Sequence, residues 1–193
     1  WYKGVTQIYG PDGGVYMSDW TDLGECHDSD GVHRTSGRIY KVVYGDVRDI
    51  GKIDLKQESN RALAEFQLHR NEWFARHSRR ILNERFVAGV DVSDARSSLE
   101  AIVDEQKVSV ANQLRALWAL HSTGGVGEGR LTELLDHSNE HVRSWAIRLI
   151  GEEGVPGASQ FQKIRLMAED GESLLVRLYI ASTFQQFSEK QQW

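Results

Sequence analysis

The chain has 193 residues, of which 40% are hydrophobic, and a formal charge of −5 at neutral pH. This length and composition are typical of a folded protein with one large domain or two small ones. The acidic balance disfavours a nucleic-acid partner, because nucleic-acid-binding surfaces concentrate Lys and Arg on one face. No apolar run approaches the roughly 20 residues of a membrane-spanning helix. The single cysteine, Cys26, excludes a disulfide within the chain and leaves the redox compartment open.

Residues 1–53 carry the signals of β structure. Pro11-Asp12-Gly13-Gly14 predicts a turn, because proline fixes φ and glycine accepts a positive φ. Alternating, β-branched and aromatic residues predict strands over residues 5–9, 15–18 and 38–44. The polar connection between the last two strands is too long for a hairpin turn. A sheet of two or three strands is marginal in water. We therefore expect this segment to depend on the helices or on further strands, as the closing part of a larger β domain would.

From residue 54 onward, apolar residues recur at helical spacing. The pattern predicts four units, each a short helix, a polar break and a longer helix. The predicted pairs are 60–69 with 71–86, 94–106 with 109–121, 130–136 with 139–152, and 160–169 with 172–187. Asn71 and Asn139 stand at expected N-cap positions, where their side chains can accept hydrogen bonds from the first helical amides.

The second helix of each pair carries an arginine near its first third. These arginines are Arg76, Arg115, Arg143 and Arg177. The pattern is clearest in Val142-Arg143-Ser144-Trp145-Ala146 and resembles HEAT-type repeats, whose internal arginine bonds a neighbouring loop. The predicted fold is mainly α: a HEAT-like α-α superhelix of about four helical pairs, preceded by a small β segment. In such arrays each pair buries its apolar stripe only against its neighbours.

The polar connection contains Cys26-His27, but its ligand spacings build no complete site. Covalent haem needs two cysteines before the histidine, and a structural zinc needs four ligands. Asp28-Ser29-Asp30-Gly31 is similar to the start of a calcium loop, yet Val32 occupies the fifth position and no glutamate occupies the twelfth. We therefore expect no metal bound by this chain alone. The simpler interpretation of the connection is a solvated loop.

Asp19 and Asp22 lie where the second predicted strand ends. Two carboxylates at the rim of a sheet are a frequent arrangement in ligand and ion sites. The alternative is that Asp19 caps the loop through its backbone while Trp20 covers the sheet edge. Local chemistry slightly favours this structural alternative.

A basic cluster lies on the predicted helix 71–86. Its members are Arg76, His77, Arg79 and Arg80. The cluster could bind an anion, but we favour the interpretation that its residues form salt bridges between stacked helices and cover a solvated face.

Three further groups of residues carry a resemblance that spans nearly the whole chain. They are Gly14-Val15-Tyr16-Met17-Ser18-Asp19-Trp20 with Glu25-Cys26-His27, Ser36-Gly37-Arg38-Ile39-Tyr40-Lys41-Val42, and Leu114-Arg115-Ala116-Leu117-Trp118 with His141-Val142-Arg143. Their order resembles a junction in large bacterial membrane-bound and sorbosone- or glucose-type dehydrogenases. In those proteins a β-propeller of the quinoprotein glucose dehydrogenase type is followed by HEAT-like repeats and often by a cytochrome c-type haem domain.

This resemblance implies a division of the chain. Residues 1–53 would be a remnant of the last propeller blade, and residues 54–193 would be a HEAT-like repeat domain. Asp19, Asp22, His27 and Arg38 are the candidate residues on the rim of the ligand face. A quinone, calcium and haem c would belong to the complete protein, with none bound by this segment. The resemblance also implies a periplasmic or exported location.

Two function classes stay open. In the first, the chain is part of a dehydrogenase-like protein whose repeats act as a structural and protein-interaction module, contacting a protein partner or adjacent domains of the same chain. In the second, it is a non-catalytic HEAT-repeat scaffold that binds protein or polysaccharide. Enzymatic activity of the complete protein is undecided by the sequence, because a quinone oxidoreductase needs a general base and a cofactor cradle that these residues do not assemble.

Overall fold

The computed structural model describes residues 2–20, 36–46, 49–154, 156–169 and 171–187. Within these ranges the protein is mainly helical, with eight α-helices that follow a small antiparallel sheet of three strands. The prediction of a mainly α fold with a small preceding β segment is confirmed.

The sheet is built from strands that are neighbours in sequence: β1 (Gly4–Tyr9), β2 (Val15–Asp19) and β3 (Arg38–Val42). The predicted turn joins β1 to β2, where the amide of Gly10 donates to the carbonyl of Gly14 at 2.8 Å. Gly13 has a φ of 82°, a conformation that glycine adopts without steric cost. β3 is shorter than the predicted 38–44, because the chain bends at Gly45, whose φ is 74°.

Both faces of the sheet expose apolar side chains. The register places Tyr9, Val15 and Val42 on one face, and Ile8 and Ile39 on the other. Ile8 is 60% exposed and Ile39 is 78% exposed, although isoleucine is among the residue types most often buried. No described residue of the three strands belongs to the hydrophobic core, which begins along the chain at Leu55. The sheet therefore gains little stability from burial of its own side chains.

The helices begin and end close to the predicted bounds. They are α1 (Asn60–Glu65), α2 (Glu72–Val87), α3 (Ser93–Asp104), α4 (Val110–Ser122), α5 (Glu128–Leu134), α6 (Glu140–Glu152), α7 (Ala158–Glu169) and α8 (Leu174–Phe184). The first predicted helix is shorter than expected, since α1 tightens into a 3-10 turn at Phe66–Leu68. Side-chain oxygens cap several N-termini and satisfy amides that have no partner within the helix. The capping residues are Ser59, Asn71, Ser109, Asn139 and Ser173.

The helices pack in pairs and in sequence. α1 contacts α2 and α3, and each later odd-numbered helix contacts the even-numbered helix that follows it. The even-numbered helices also form a chain of contacts, from α2 to α4, from α4 to α6 and from α6 to α8. One continuous core runs through these contacts, with Leu63, Leu99, Leu117, Leu131 and Ile147 almost fully buried. Each buried side chain of this size contributes about 1.5–3 kcal/mol of transfer free energy.

We predict that residues 54–193 fold without residues 1–53, because the buried core lies within the helices, and that the shorter piece does not fold alone. Circular dichroism of the two pieces tests this. The helical piece should keep its helical spectrum and unfold cooperatively on heating. An unfolded helical piece would contradict the prediction.

Candidate functional site

Of the four predicted rim residues, Asp19 and Arg38 lie together at one end of the sheet. They are cross-strand partners, Asp19 as the last residue of β2 and Arg38 as the first residue of β3. Asp22 and His27, the other two candidates, lie outside the described residues, as does Cys26.

Asp19 makes a structural contact at this end of the sheet. Its side chain is buried, and Oδ1 accepts a hydrogen bond of 2.9 Å from the backbone amide of Lys3. The amide of Trp20 donates to the carbonyl of Lys3 at 2.8 Å, so this part of the chain is fixed to the start of β1. The side chain of Trp20 is 64% exposed at this end of the sheet. On the next strand, the exposed Arg38 donates from Nη1 to the carbonyl of Ser36 at 2.5 Å.

An ion pair between Asp12 and Lys41 lies at the opposite end of the sheet. The ammonium of Lys41, with help from the amide of Gly14 at 3.1 Å, lowers the pKa of the Asp12 carboxyl. The same pair raises the pKa of Lys41. Lys41 also lies 5.4 Å from the centroid of the Tyr16 ring. The pair links the turn after β1 to β3.

Asn71 connects this end of the sheet to the helices. Its Oδ1 accepts from the amide of Trp73 at 3.0 Å and so caps α2. Its Nδ2 donates to the carbonyls of Gly10 and Pro11, at 2.9 Å and 3.1 Å. A single amide group thus begins a helix and holds the β1–β2 turn. Beside this contact is an open cavity of about 580 Å³, whose lining includes Asp12, Arg70 and Phe74.

The capping geometry of Asn71 recurs in the third helical pair. In both places the backbone amide of the asparagine donates to Nδ1 of the histidine two residues earlier. The distance is 3.0 Å from Asn71 to His69 and 3.1 Å from Asn139 to His137. Asn139 Oδ1 then accepts from the amide of His141 at 2.9 Å, as Asn71 Oδ1 does from its own helix. Both caps are predictable from the sequence, whereas the role of the two histidines is not among the predictions. The shared His-x-Asn-Glu spacing was the signal that could have revealed them.

Two of the four repeat arginines bind the carbonyls of these histidines. Arg115 of α4 donates from Nη1 to the carbonyl of His69 at 3.2 Å, and it pairs with Glu72. Arg143 of α6 donates from Nη1 to the carbonyl of His137 at 2.8 Å. Its Nη2 reaches Glu172 in the next helical pair at 2.7 Å. The expectation that the repeat arginine bonds a neighbouring loop is confirmed for Arg115 and for Arg143, which bonds Glu172 in the loop of the next pair as well as the loop of its own pair.

The other two arginines differ. Arg76 is exposed, and among the described residues its salt bridge is with Glu72 of its own helix, at 4.0 Å. Arg177 is exposed and makes no hydrogen bond to a loop within the described part of the chain. Position along the helix does not separate these cases, because Arg177 follows its N-cap Ser173 at the same spacing as Arg143 follows Asn139, yet of these two only Arg143 bonds a loop carbonyl among the described residues.

The basic cluster of α2 lies in part on a solvated face, as expected, since Arg76 and Arg80 are exposed, but its salt bridges differ from the expected ones. Arg76 and Arg80 pair with Glu72 and Glu84 of the same helix, so these salt bridges lie within α2 and not between stacked helices. The ring of His77 lies 4.2 Å from that of Trp73 between centroids. Burial, with the nearby charge of Arg80, lowers the pKa of His77.

Arg79 belongs instead to a group of stacked side chains that crosses three helices. Its guanidinium carbon lies 5.6 Å from the ring centroid of Trp118 on α4. Trp118 meets Trp145 of α6 edge to face, with centroids 4.8 Å apart. The guanidinium carbon of Arg148 lies 4.8 Å from the Trp145 ring. We call these four residues the Arg–Trp cluster.

Two further features are absent from the part of the chain that the structure describes. It contains no group of three or more His, Cys, Asp or Glu side chains placed to hold a metal ion. No helix within it has both the length and the apolar character needed to cross a membrane.

Comparison with known protein families, with curated proteins and with solved structures finds no match to this chain.

We predict that Asn71→Ala and Asn139→Ala separate the two roles of the capping amide. Both substitutions remove an N-cap and should lower the free energy of unfolding by about 0.5–2 kcal/mol. Only Asn71→Ala also removes the hydrogen bonds to Gly10 and Pro11. Hydrogen exchange of the Gly13 and Gly14 amides should therefore accelerate in Asn71→Ala and not in Asn139→Ala. Equal exchange in the two variants would contradict this role of Asn71.

A second prediction concerns the pH dependence of the ion pair. Since the pKa of Asp12 is lowered in the folded protein, the pair stabilises the sheet above the ordinary carboxyl pKa of 3.8, and this contribution is lost as the pH falls through the lowered value. The amide of Gly14 reports the titration, because it donates to Asp12. Its NMR shift should change with a midpoint below 3.8. Asp12→Asn should abolish this change, and a midpoint at or above the ordinary value would refute the pairing.

Proposed function

We propose that this chain joins the end of a β-propeller to HEAT-like repeats, in a periplasmic or exported protein similar to the quinoprotein dehydrogenases. In this proposal the repeats act as a structural and protein-interaction module. The observation that carries it is the three-stranded sheet, which exposes Val15 and Val42 on one face and Ile8 and Ile39 on the other.

The geometry of the sheet supports a blade of a propeller. A blade is a small antiparallel sheet covered by other blades around a central channel. Such a sheet needs apolar side chains on its faces, and it has no core of its own. The strand order here follows the sequence, as in a simple meander. An isolated surface sheet would instead carry polar residues on its outer face.

The order of helix contacts supports HEAT-like stacking. α2, α4, α6 and α8 contact one another in sequence, as expected when each helical pair packs on the next. The loop contacts of Arg115 and Arg143 support the same assignment, because each lies beside a turn between paired helices.

The proposal assigns no reaction to the described residues. Asp19 and Arg38 lie at a sheet end where neighbouring blades could complete a ligand site, and Asp22 and His27 stay candidates from the sequence alone. A quinone, calcium or haem c would be held by parts of the complete protein beyond this chain. The protein partner would be an adjacent domain or a separate protein.

A second candidate function is a non-catalytic HEAT-repeat scaffold that binds protein or polysaccharide. The Arg–Trp cluster favours it, because aromatic and arginine side chains are enriched in binding surfaces. Under this alternative the exposed sheet would be covered by a binding partner and not by further blades.

The complete reading frame distinguishes the two candidates. The dehydrogenase-like protein should encode five further blade-like segments before this chain and a Cys-x-x-Cys-His motif after it. A reading frame that starts a few dozen residues upstream, with no blades, would exclude the propeller.

We also predict a physical difference between this chain and the complete protein. Hydrogen exchange at the amides of β1 and β3 should be fast in the isolated chain and at least about tenfold slower in the complete protein, since added blades would cover these strands. The amides of α4 serve as an internal control and should exchange similarly in both. Equal exchange of the sheet in the two samples would argue against the blade.

A further inference from the structure

The last described helix, α8, exposes apolar side chains on one face and buries apolar side chains on the other. Leu174 is 83% exposed and Leu178 is 63% exposed. On the opposite face, Val176 and Ile180 are buried in the hydrophobic core. A helix that is apolar on both faces is expected to be covered on both. The terminal unit of a stacked array carries a polar outer face instead, which keeps the protein soluble. α8 therefore has the composition of an internal helix.

The covered face of α6 shows what the exposed face of α8 corresponds to. Counted from the N-cap, the fifth, eighth and twelfth residues of α6 are buried on one side of the helix: Ser144, Ile147 and Gly151. α8 covers this side, since a side chain added at Gly151 would meet Thr183 of α8. The residues at the same three spacings from the N-cap of α8 are exposed: Leu178, Ala181 and Gln185. The exposed face of α8 is thus the counterpart of the face through which α6 contacts the next helical pair.

Arg177 adds an unpaired charge beside this face. It is the fourth residue after the N-cap of α8, as Arg143 is in α6. Nη2 of Arg143 donates at 2.7 Å to Glu172, which lies in the loop of the next pair, directly before the N-cap. Arg177 is exposed and has no ion pair among the described residues. Of the two described acidic residues just before α8, one is the partner of Arg143, and the other, Glu169, pairs with Arg165. Arg177 therefore lacks the acidic partner that its counterpart obtains from the following pair.

A groove beside Arg177 has room for an apolar side chain. It lies between α7 and α8, is open to solvent and has a volume of about 260 Å³. Apart from the arginine, its lining is apolar: Ala168, Ile180, Ala181 and Phe184. Helices pack by placing the side-chain ridges of one into the grooves of another. The groove therefore fits the apolar stripe of a further helix better than it fits a strongly hydrated ligand.

A second copy of this chain fits the face less well than a further helical pair does. A twofold dimer would place the face against itself, because the same patch meets in both subunits. The described part of the face, at Leu174, Arg177, Leu178, Ala181 and Gln185, contains no carboxylate. Such a dimer would bring two unpaired arginines into one interface. The occupant that suits the face supplies both an apolar surface and an acidic residue.

We propose that a further helical pair of the complete protein packs on α8, as α8 packs on α6, and that an acidic residue directly before the N-cap of its second helix pairs with Arg177. The proposal rests on the HEAT-like stacking of the proposed function, but it does not depend on the propeller. Burial of Leu174 and Leu178 supplies the main stabilisation of this contact. The charge pair fixes its register.

Hydrogen exchange in the complete protein and in the 193-residue chain tests the proposal. The amides of α8 should exchange at least about tenfold more slowly in the complete protein, because a helix covered on both faces opens less often. The amides of α4, which lies inside the array in both samples, are the internal control. Equal exchange of α8 in the two samples would overturn the proposal.

Two substitutions localise the contact to this face. Leu178→Glu should accelerate exchange of α8 at least about tenfold in the complete protein, where it would bury a charge, and less than about twofold in the isolated chain. Arg177→Gln should accelerate it at least about threefold in the complete protein only, because it removes one member of the charge pair. The matched control is Arg165→Gln on α7, whose partner Glu169 lies on the same helix, so it should affect both samples alike. If Leu178→Glu prevents folding, Arg177→Gln decides alone, and unchanged exchange in it refutes the proposal.

The reading frame and the oligomeric state distinguish the possible occupants. After residue 187 the frame should encode a short helix, a loop with an acidic residue directly before an N-cap, and a longer helix. A frame without this helical pair would overturn the proposal. In sedimentation velocity, the complete protein should be monomeric while α8 is protected. A dimer that Leu178→Glu dissociates would show a second copy on this face and refute the further pair.

The same exchange data separate this proposal from the propeller. Protection of α8 in the complete protein without protection of β1 and β3 would support the further helical pair and not the blade. Protection of β1 and β3 without protection of α8 would refute the further helical pair and leave the blade supported.

Discussion

The hydrogen bonds of Asn71 connect the sheet to the helices. Its Oδ1 satisfies the amide of Trp73, and its Nδ2 satisfies the carbonyls of Gly10 and Pro11. Each bond is worth only about 0.5–1.5 kcal/mol, yet the sheet has little buried surface of its own. Its position relative to α2 therefore depends on a few polar contacts and not on a shared core. Such a contact orients a small sheet without stabilising it strongly, which suits a segment that further strands or a partner would cover.

The turns between paired helices show how the helical part obtains its regularity. At His69 and at His137, the Nδ1 atom of the ring accepts a hydrogen bond from the backbone amide of the capping asparagine. The backbone carbonyl of the same histidine accepts one from an arginine. Different helices supply the two arginines, so the common element is the acceptor in the turn. Turns of this kind present a carbonyl that the helix ladder does not use, and a guanidinium satisfies it. Stability then accumulates turn by turn, as expected for stacked repeats.

Local patterns in the sequence predicted the helices and the caps at Asn71 and Asn139, because apolar periodicity and capping preference act within one or two turns of chain. The double role of Asn71 was not predictable in this way, since its partners Gly10 and Pro11 are about sixty residues distant and no local pattern records that contact. The loop contacts of the repeat arginines were not predictable for a related reason. A Val-Arg or Ala-Arg pair shows which residue type recurs, but whether the guanidinium reaches a loop depends on residues distant in sequence, such as His69 for Arg115. At the sheet rim, strand ends predicted where Asp19 and Arg38 lie, but not the hydrogen bond from Lys3.

The Arg–Trp cluster combines opposing electrostatic effects. Removing Arg79 from water is costly, and the Trp118 ring returns about 0.5–2 kcal/mol through a cation–π contact. That contact fixes the guanidinium without neutralising its charge, because an aromatic ring carries no net charge. The ring therefore holds the guanidinium of Arg79 in place while its charge stays unneutralised, in a contact that joins α2 to α4.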